Sequence, residues 1–440
     1  MIDADYIIQF ALKKGCNAAE VFIKESHGTS VEVKGGAVEA LEAAQDIGIA
    51  IRVIKGKKQG FSFASSYDDV EETIENAVEG AHWAGDDEYI NIPSPNRYEE
   101  VDICDEKIKQ LSEEEIIHYA RVLEESAMQY DSKISKVRKA EVSAGSAITY
   151  IMNSEGVNVQ YDSSYCSAYI TSLAEGKNGD NQMGWDYAGS RRLADIDFQS
   201  TGKRASQRAL ELLDSRKISA VKVPVILSPT VAVEFLEILS SSLSAEAVQK
   251  QRSFLAGKAG EQIISPLLDI IDDGTMPWGM GTRPVDDEGV AVTRKTLIEK
   301  GVLSGYIHNS YTAKKSGVQS TGNASRGSTK SLPGISVSNF YLKGGNGNGE
   351  GDLVKELSKG IKIVGAMGVH TANPISGDFS IGISGLWIEK GEAVYPVKEA
   401  IISGNILEIF KKVEAVGQDM EFYGSVGSPS ILIGEMDISA

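Results

Sequence analysis

The sequence predicts an α+β protein: an N-terminal α/β region built on an antiparallel sheet, followed by a C-terminal, mainly antiparallel β part that is barrel-like. Three observations carry this expectation. Before residue 219 the apolar spacing passes twice from helical to strand-like and back. After residue 219 the texture becomes strand-rich and glycine-rich, with few helical stretches. Two strand-like pairs there share the turn Glu-Lys-Gly, at Glu299-Lys300-Gly301 and Glu389-Lys390-Gly391, where glycine makes a positive φ cheap. At 440 residues the chain exceeds one ordinary compact domain. The expected division is 1–218, with subdomains 1–95 and 96–218, and then 219–440.

Taken in order, residues 3–14 have helical spacing. Val21-Phe22-Ile23, Val31-Glu32-Val33 and Gly48-Ile49-Ala50-Ile51-Arg52-Val53 are strand-like runs separated by Gly28, Gly35-Gly36 and Gly56. From Ser66 a second helix opens on Asp68 and Asp69, with Val70, Ile74, Ala77, Val78 and Ala81 on one apolar face. Ile92-Pro93-Ser94-Pro95-Asn96 breaks the pattern as a loop or joint. Ser112 followed by Glu115 is a capping-box start for a helix to about Gln129. Strands over 137–151 and 157–173 and a helix near 202–213 repeat the order of the first unit, although no sequence identity between the units is evident. Lys343 to Gly351 reads as a glycine-rich surface loop leading into a helix at 352–358. It lacks both the phosphate-loop motif and the full dinucleotide fingerprint.

With 42% hydrophobic and 24% charged residues, the composition is that of a chain able to bury a sizeable core. Lys and Arg number 44 against 62 Asp and Glu, for a net charge of −18. A field of that sign repels phosphate backbones and anionic lipid, so neither nucleic acid nor membrane is expected as a partner. The acidic N-terminus does not resemble an export signal, and the most apolar long window, 221–239, is broken by Lys222, Pro224, Pro229, Glu234 and Glu237. Cys16, Cys104 and Cys166 are far apart, with no C-x-x-C. Reduced thiols in a cytoplasmic protein are the expectation.

The residues restrict the chemistry. His27, His82, His118, His308 and His370 include no pair within five positions, so no local histidine zinc pair exists. His82 and His118 fall on expected helices and read as structural. His308 and His370 lie beside glycine-rich turns and are the better site candidates. No G-x-S-x-G elbow is present, and Ser219-Ala220-Val221-Lys222 falls where a strand begins rather than on a helix. The cluster Asp286-Asp287-Glu288 reads either as a solvated turn or as an acid–base or cation site built on Asp287 and Glu288. Asn323 and Arg326 could hold a peptide backbone or a carboxylate, or serve their own turn.

Several ordered motifs together carry a resemblance. They are Asp272-Asp273-Gly274, Val285-Asp286-Asp287-Glu288-Gly289, the segment 297–306, Ser320-Thr321-Gly322-Asn323-Ala324, and Ser376-Gly377-Asp378-Phe379-Ser380 followed by Trp387-Ile388-Glu389. With Gly48 to Val53 and Gly60-Phe61 they resemble the TldD/PmbA peptidase family, once named modulators of DNA gyrase, over essentially the whole chain. The resemblance implies a C-terminal domain that binds extended peptide near a helix. In TldD-like members that helix carries His-Glu-x-x-x-His and a later cysteine completes a zinc site. Here the corresponding stretch reads Glu237-Ile238-Leu239-Ser240-Ser241-Ser242, and residues 418–429 contain no cysteine. The chain is therefore similar to the PmbA (TldE) arm. That arm implies a non-catalytic subunit with no zinc of its own, acting with a TldD-like zinc peptidase subunit on unfolded peptides; a homodimer of the chain when alone is a separate option that the sequence leaves open. Two alternatives stay open: a peptidase in its own right using His308, His370, Asp287 and Glu288, and a metal-free peptide-binding scaffold.

Overall fold

The computed structural model describes residues 4–345 and 349–439; the side chains of Asn178 and His370 also lie outside the described residues. Asn346, Gly347 and Asn348 of the expected glycine-rich loop fall in that gap.

The first unit runs α1 (Ala4–Lys13), β1 (Ala18–Lys34), β2 (Ala37–Lys55), β3 (Lys58–Ala64) and α2 (Val70–Trp83). A single turn, α3 (Glu106–Lys109), leads into the second: α4 (Glu113–Met128), β4 (Ile134–Asn153), β5 (Asn158–Glu175), β6 (Asn181–Ser190) and α5 (Phe198–Glu211). The expected capping box closes the start of α4, where Ser112 accepts from the Glu115 N–H and Glu115 accepts from the Ser112 N–H. Helix α5 begins earlier than the spacing suggested because Asp197 caps it, accepting from the Ser200 N–H at 2.9 Å.

All six strands form one antiparallel sheet in the order β3-β2-β1-β4-β5-β6, so the two units meet where β1 pairs with β4. The loop at 92–96 therefore does not separate two sheets. The units also share a packing device. At Gly60 on β3 a Cβ would lie 1.8 Å from the Ala77 carbonyl of α2, and at Gly184 on β6 it would lie 2.2 Å from the Ala205 carbonyl of α5. Each unit thus lets its closing helix touch its outer strand at a glycine. The helices cover one face of the sheet, with Ile7, Ile49 and Ile74 under the first unit and Leu123, Val142 and Ile170 under the second.

The C-terminal part begins with β7 (Val221–Leu227), α6 (Pro229–Ser242) and α7 (Ala245–Gln249). Short strands follow: β8 (Ile270–Asp273), β9 (Arg294–Glu299) and β10 (Val302–Leu303), then, after α8 (Ser310–Ser316), β11 (Ala324–Ser325), β12 (Gly334–Ile335) and β13 (Asn339–Leu342). The chain ends with α9 (Glu350–Glu356), β14 (Lys359–Met367), β15 (Asp378–Glu389), β16 (Glu392–Asn405), α10 (Ile406–Lys411), β17 (Val413–Val416), β18 (Glu421–Tyr423), β19 (Val426–Ser428) and β20 (Ile431–Ser439).

Strands β16, β15, β14, β7 and β20 are neighbours in that order, and β16 pairs back to β20 at Ile401–Ser439 and Ile402–Ile438. The result is a closed five-stranded barrel with no free edge among those strands. Both Glu-Lys-Gly turns form as expected, with φ of 46° and 77° at Lys300-Gly301 and 53° and 78° at Lys390-Gly391. Two pairings depart from the antiparallel expectation: β7 with β14 and β13 with β19 are parallel. Each joins strands separated by long connections, which the local turn signals do not encode. Helix α6 buries one broad face, with Val231, Phe235, Leu236 and Leu239 inside, and its Phe235 meets Phe379 edge-on at 5.2 Å.

Candidate functional site

The face of the sheet turned away from its helices packs on the C-terminal part, where Phe22, Ala50 and Ile151 enclose Val285. Along β1 and β2, Glu20 stands opposite Arg52 in register, and both side chains are buried on that face. Arg52 reaches Glu20 through Nε at 3.1 Å and through a terminal nitrogen at 2.6 Å, and its other terminal nitrogen lies 3.0 Å from Glu288. Arg326 donates to the same Glu20 carboxylate at 2.6 Å. Two guanidiniums and two carboxylates thus form a buried, charge-assisted network across the junction.

The segment Asp286-Asp287-Glu288 is at most 8% exposed, so the expectation of a solvated turn is corrected. Burial is possible because each carboxylate has several donors. Asp286 accepts from the N–H groups of Glu288, Val290 and Ala324 at 2.9–3.0 Å. Burial and the Glu288 carboxylate push its pKa up, against the pull of Arg283 and of those donors. Asp287 accepts from Arg283 at 2.8 Å and from the Arg326 N–H at 2.6 Å. Glu288 accepts from both the N–H and the hydroxyl of Ser310, at 2.8 and 2.6 Å. The acidic cluster is therefore internally paired.

The same network collects most of the other expected site residues. Asn323 is fully buried; its amide donates to Asp272 at 2.8 Å and to the Ser336 carbonyl at 2.9 Å, and its oxygen accepts from Thr321 at 2.8 Å. Any effect of Asn323 on a ligand must pass through those neighbours. Arg326 is pinned by Glu20 and by the Ser331 carbonyl at 2.7 Å. His308 joins through its backbone, its N–H donating to Thr321 at 2.7 Å. Its ring is buried, which lowers its affinity for a proton, and Nδ1 has no partner. His370 falls in the short turn Val369–Thr371, away from this cluster; its side chain lies outside the described residues.

That turn borders a different feature. A groove of about 480 Å³ runs along α6, lined by Glu234, Glu237, Ile238 and Ser241 on one side and Val369, Ala372 and Pro374 on the other. Glu234 is pushed up to about 7 by burial, with Glu237 adding to the effect. On the same helix Ser242 is 1% exposed and its hydroxyl has no partner. An exposed carboxylate at Glu237 and a buried neutral hydroxyl at Ser242 are a poor donor set for zinc, which takes imidazole, thiolate or carboxylate. Among the described residues no three His, Cys, Asp or Glu side chains converge as metal ligands, so these residues do not fit a zinc ion.

Sequence reasoning did not single out Glu20 and Arg52. A signal existed, since Arg52 is a lone cation inside the apolar run 48–54 and Glu20 precedes another such run. A charge there must be paired if the strand is buried on both faces.

An α+β protein whose closed barrel carries a buried helix beside an acidic groove, joined to a two-unit sheet by buried ion pairs, is a recognisable class. The chain belongs to the TldD/PmbA family. Family models described as PmbA/TldA metallopeptidase domain 1, central domain and C-terminal domain match residues 19–81, 106–213 and 220–440. The chain is 32% identical to an uncharacterized protein of Methanocaldococcus jannaschii, over 98% of each chain. It is 29% identical to a metalloprotease PmbA homolog of Buchnera aphidicola, over 97% of this chain and 94% of that one. A metalloprotease TldD homolog of Haemophilus influenzae is 27% identical, over 93% and 87%. Among solved structures, a proposed modulator of a DNA gyrase from Thermotoga maritima superposes with a TM-score of 0.92 at 29% identity, covering 99% of both chains.

Proposed function

We propose that this chain is a PmbA/TldE-like subunit that cuts no peptide bond by itself and works with a TldD-like zinc peptidase subunit on unfolded peptides. The observation that carries the reading is helix α6. Where the family resemblance puts the two zinc-binding histidines, this helix has Glu237 and Ser242, one exposed and one buried. The relatives' names speak for metal use in the family; in this reading the zinc belongs to the partner subunit.

The residues present suit a holding role. The groove along α6 combines two carboxylates with the apolar side chains of Ile238, Val369, Ala372 and Pro374, a surface able to accept an extended chain without reading its sequence. Glu234, with its proton affinity raised, can serve as a hydrogen-bond donor or acceptor near neutral pH. No helix of the described residues is long and apolar enough to cross a membrane. We assign the complex to the cytoplasm, with the chain pairing with itself when its partner is absent.

Metal analysis of the purified chain tests the assignment. Zinc well below one equivalent is expected. Near-equimolar zinc that disappears on His308→Ala or His370→Ala would overturn it in favour of a peptidase with its own site.

A further inference from the structure

A pocket of about 490 Å³ opens where the sheet meets the C-terminal part, apart from the groove along α6. Its wall carries four cations, Lys24, Arg191, Arg283 and Arg326, and one carboxylate, Asp287. In a chain of net charge −18 that local sign is reversed.

The one acid does not balance it. Asp287 is already held by Arg283 at 2.8 Å, and Arg326 by Glu20 at 2.6 Å. Among the described residues Arg191 donates only to backbone carbonyls, those of Gly279, Ser164 and Met280 at 3.0, 3.2 and 2.8 Å. A guanidinium there keeps its charge but has no counter-ion among the described residues. Lys24 is exposed and makes no ion pair among the described residues.

Two buried donors in the same wall also lack acceptors. The Arg326 side chain is 2% exposed and its Nε–H has no partner; Ser338 is 2% exposed and its hydroxyl has none. Unpaired buried donors are rare and costly, and they mark where an acceptor belongs. Phe22, Met280 and Val337 supply apolar wall beside them. Unbalanced cations, idle donors and adjoining apolar surface together complement a carboxylate borne on a small apolar group.

We propose that this pocket binds the carboxylate end of a peptide chain, neutralised by Lys24 and Arg191 and hydrogen-bonded by Arg326 Nε and the Ser338 hydroxyl. That the anion is a peptide end rests on the peptide-handling role proposed above; the pocket's charge and idle donors do not. Such a site fixes one end of an unfolded substrate through a feature that every chain has, so it sets direction without selecting sequence.

The test is fluorescence anisotropy with the full-length chain alone and a fluorescein-labelled peptide, four alanines ending in leucine. The peptide is presented as free acid and as C-terminal amide, with inorganic phosphate as competitor. The free acid is expected to bind about tenfold or more tightly than the amide, and phosphate to displace it competitively. Lys24→Gln, an exposed change that leaves the fold intact, should weaken the free acid several-fold and leave the amide unchanged; Arg191→Gln should weaken it further. Equal binding of acid and amide, binding of neither, or phosphate binding without any free-acid binding would each overturn the proposal. None of these readouts involves cleavage. A chain that discriminates acid from amide yet fails to assist a zinc subunit would retain this site and lose its subunit role, and the converse result would do the reverse.

Discussion

Replacing Arg52 with leucine should be among the most damaging single changes in the chain. Its guanidinium is the hinge of the junction network: it holds Glu20 through contacts at 3.1 and 2.6 Å and Glu288 at 3.0 Å. All three side chains are at most 5% exposed. Among the described residues, the substitution leaves Glu20 with Arg326 as its only cation and Glu288 with only the N–H and hydroxyl of Ser310. Removing one partner of a buried pair costs about 3–5 kcal/mol, mostly as the penalty on the charge left behind. Because one cation here serves two carboxylates, the upper half of that range is expected. Urea unfolding followed by intrinsic fluorescence measures it directly. The tryptophans allow a further readout: Trp83 lies on α2 of the N-terminal part and Trp387 in the barrel, while Trp185, 5.6 Å from Tyr423, and Trp278, beneath Arg192, report on the junction itself. Loosening the junction should separate their transitions. A loss below about 1 kcal/mol, the scale of an exposed ion pair, would refute the reasoning.

Two further predictions concern single positions. Glu234 binds its proton more tightly in the folded chain than the ordinary carboxylate does, so its contribution to stability is lost as pH rises from 4.5 through about 7. Glu234→Gln should therefore stabilise the chain by about 1–2 kcal/mol at pH 8, after allowance for partial exposure, and by nothing at pH 4; a pH-independent effect would contradict this. Gly60→Ala places a Cβ 1.8 Å from the Ala77 carbonyl and must push α2 off β3. A loss of about 2–4 kcal/mol in thermal or urea unfolding is expected, and an unchanged midpoint would show that the close approach does not matter.

Local elements were legible in the sequence because their signals are local. The Ser112–Glu115 capping box, the apolar face of α2 and both Lys-Gly turns need only a few neighbouring residues to be recognised, and each forms where it was expected. The joining of two units into one sheet was less visible. It rests on β1 pairing with β4, two strands far apart along the chain, while the likeness of the units leaves one trace, Gly60 and Gly184, whose shared role emerges only once each is seen beneath a helix. The barrel's closure was hidden for a related reason: β7 lies beside β14 and β20, far along the chain, and no turn residue encodes such partners.

The candidate site divided in the same way. The absence of His-Glu-x-x-x-His was plain, since it is a matter of residue identity. The state of Asp286, Asp287 and Glu288 was not, because an acidic turn looks alike whether water or arginine surrounds it. Here Arg52, Arg283, Ser310 and the backbone N–H groups of Glu288, Val290, Ala324 and Arg326 do so, and Arg52, Ser310, Ala324 and Arg326 are remote in sequence. Arg326 was chosen for its ability to hold a carboxylate; the structure shows it holding Glu20 and leaving Nε idle at the wall of a pocket. Lys24 and Arg191 had no signal beyond being two of 44 basic residues.

The most direct test of the proposed role is cleavage of an unfolded peptide by a TldD-like zinc subunit, measured with and without this chain. A zinc subunit lacking the glutamate of its His-Glu-x-x-x-His motif serves as control. Little hydrolysis by this chain alone, a clear rise when it joins the intact zinc subunit, and no hydrolysis with the control subunit are expected. Chelator-insensitive cleavage by this chain alone, or no change on mixing, would contradict a non-catalytic subunit that completes its partner's site.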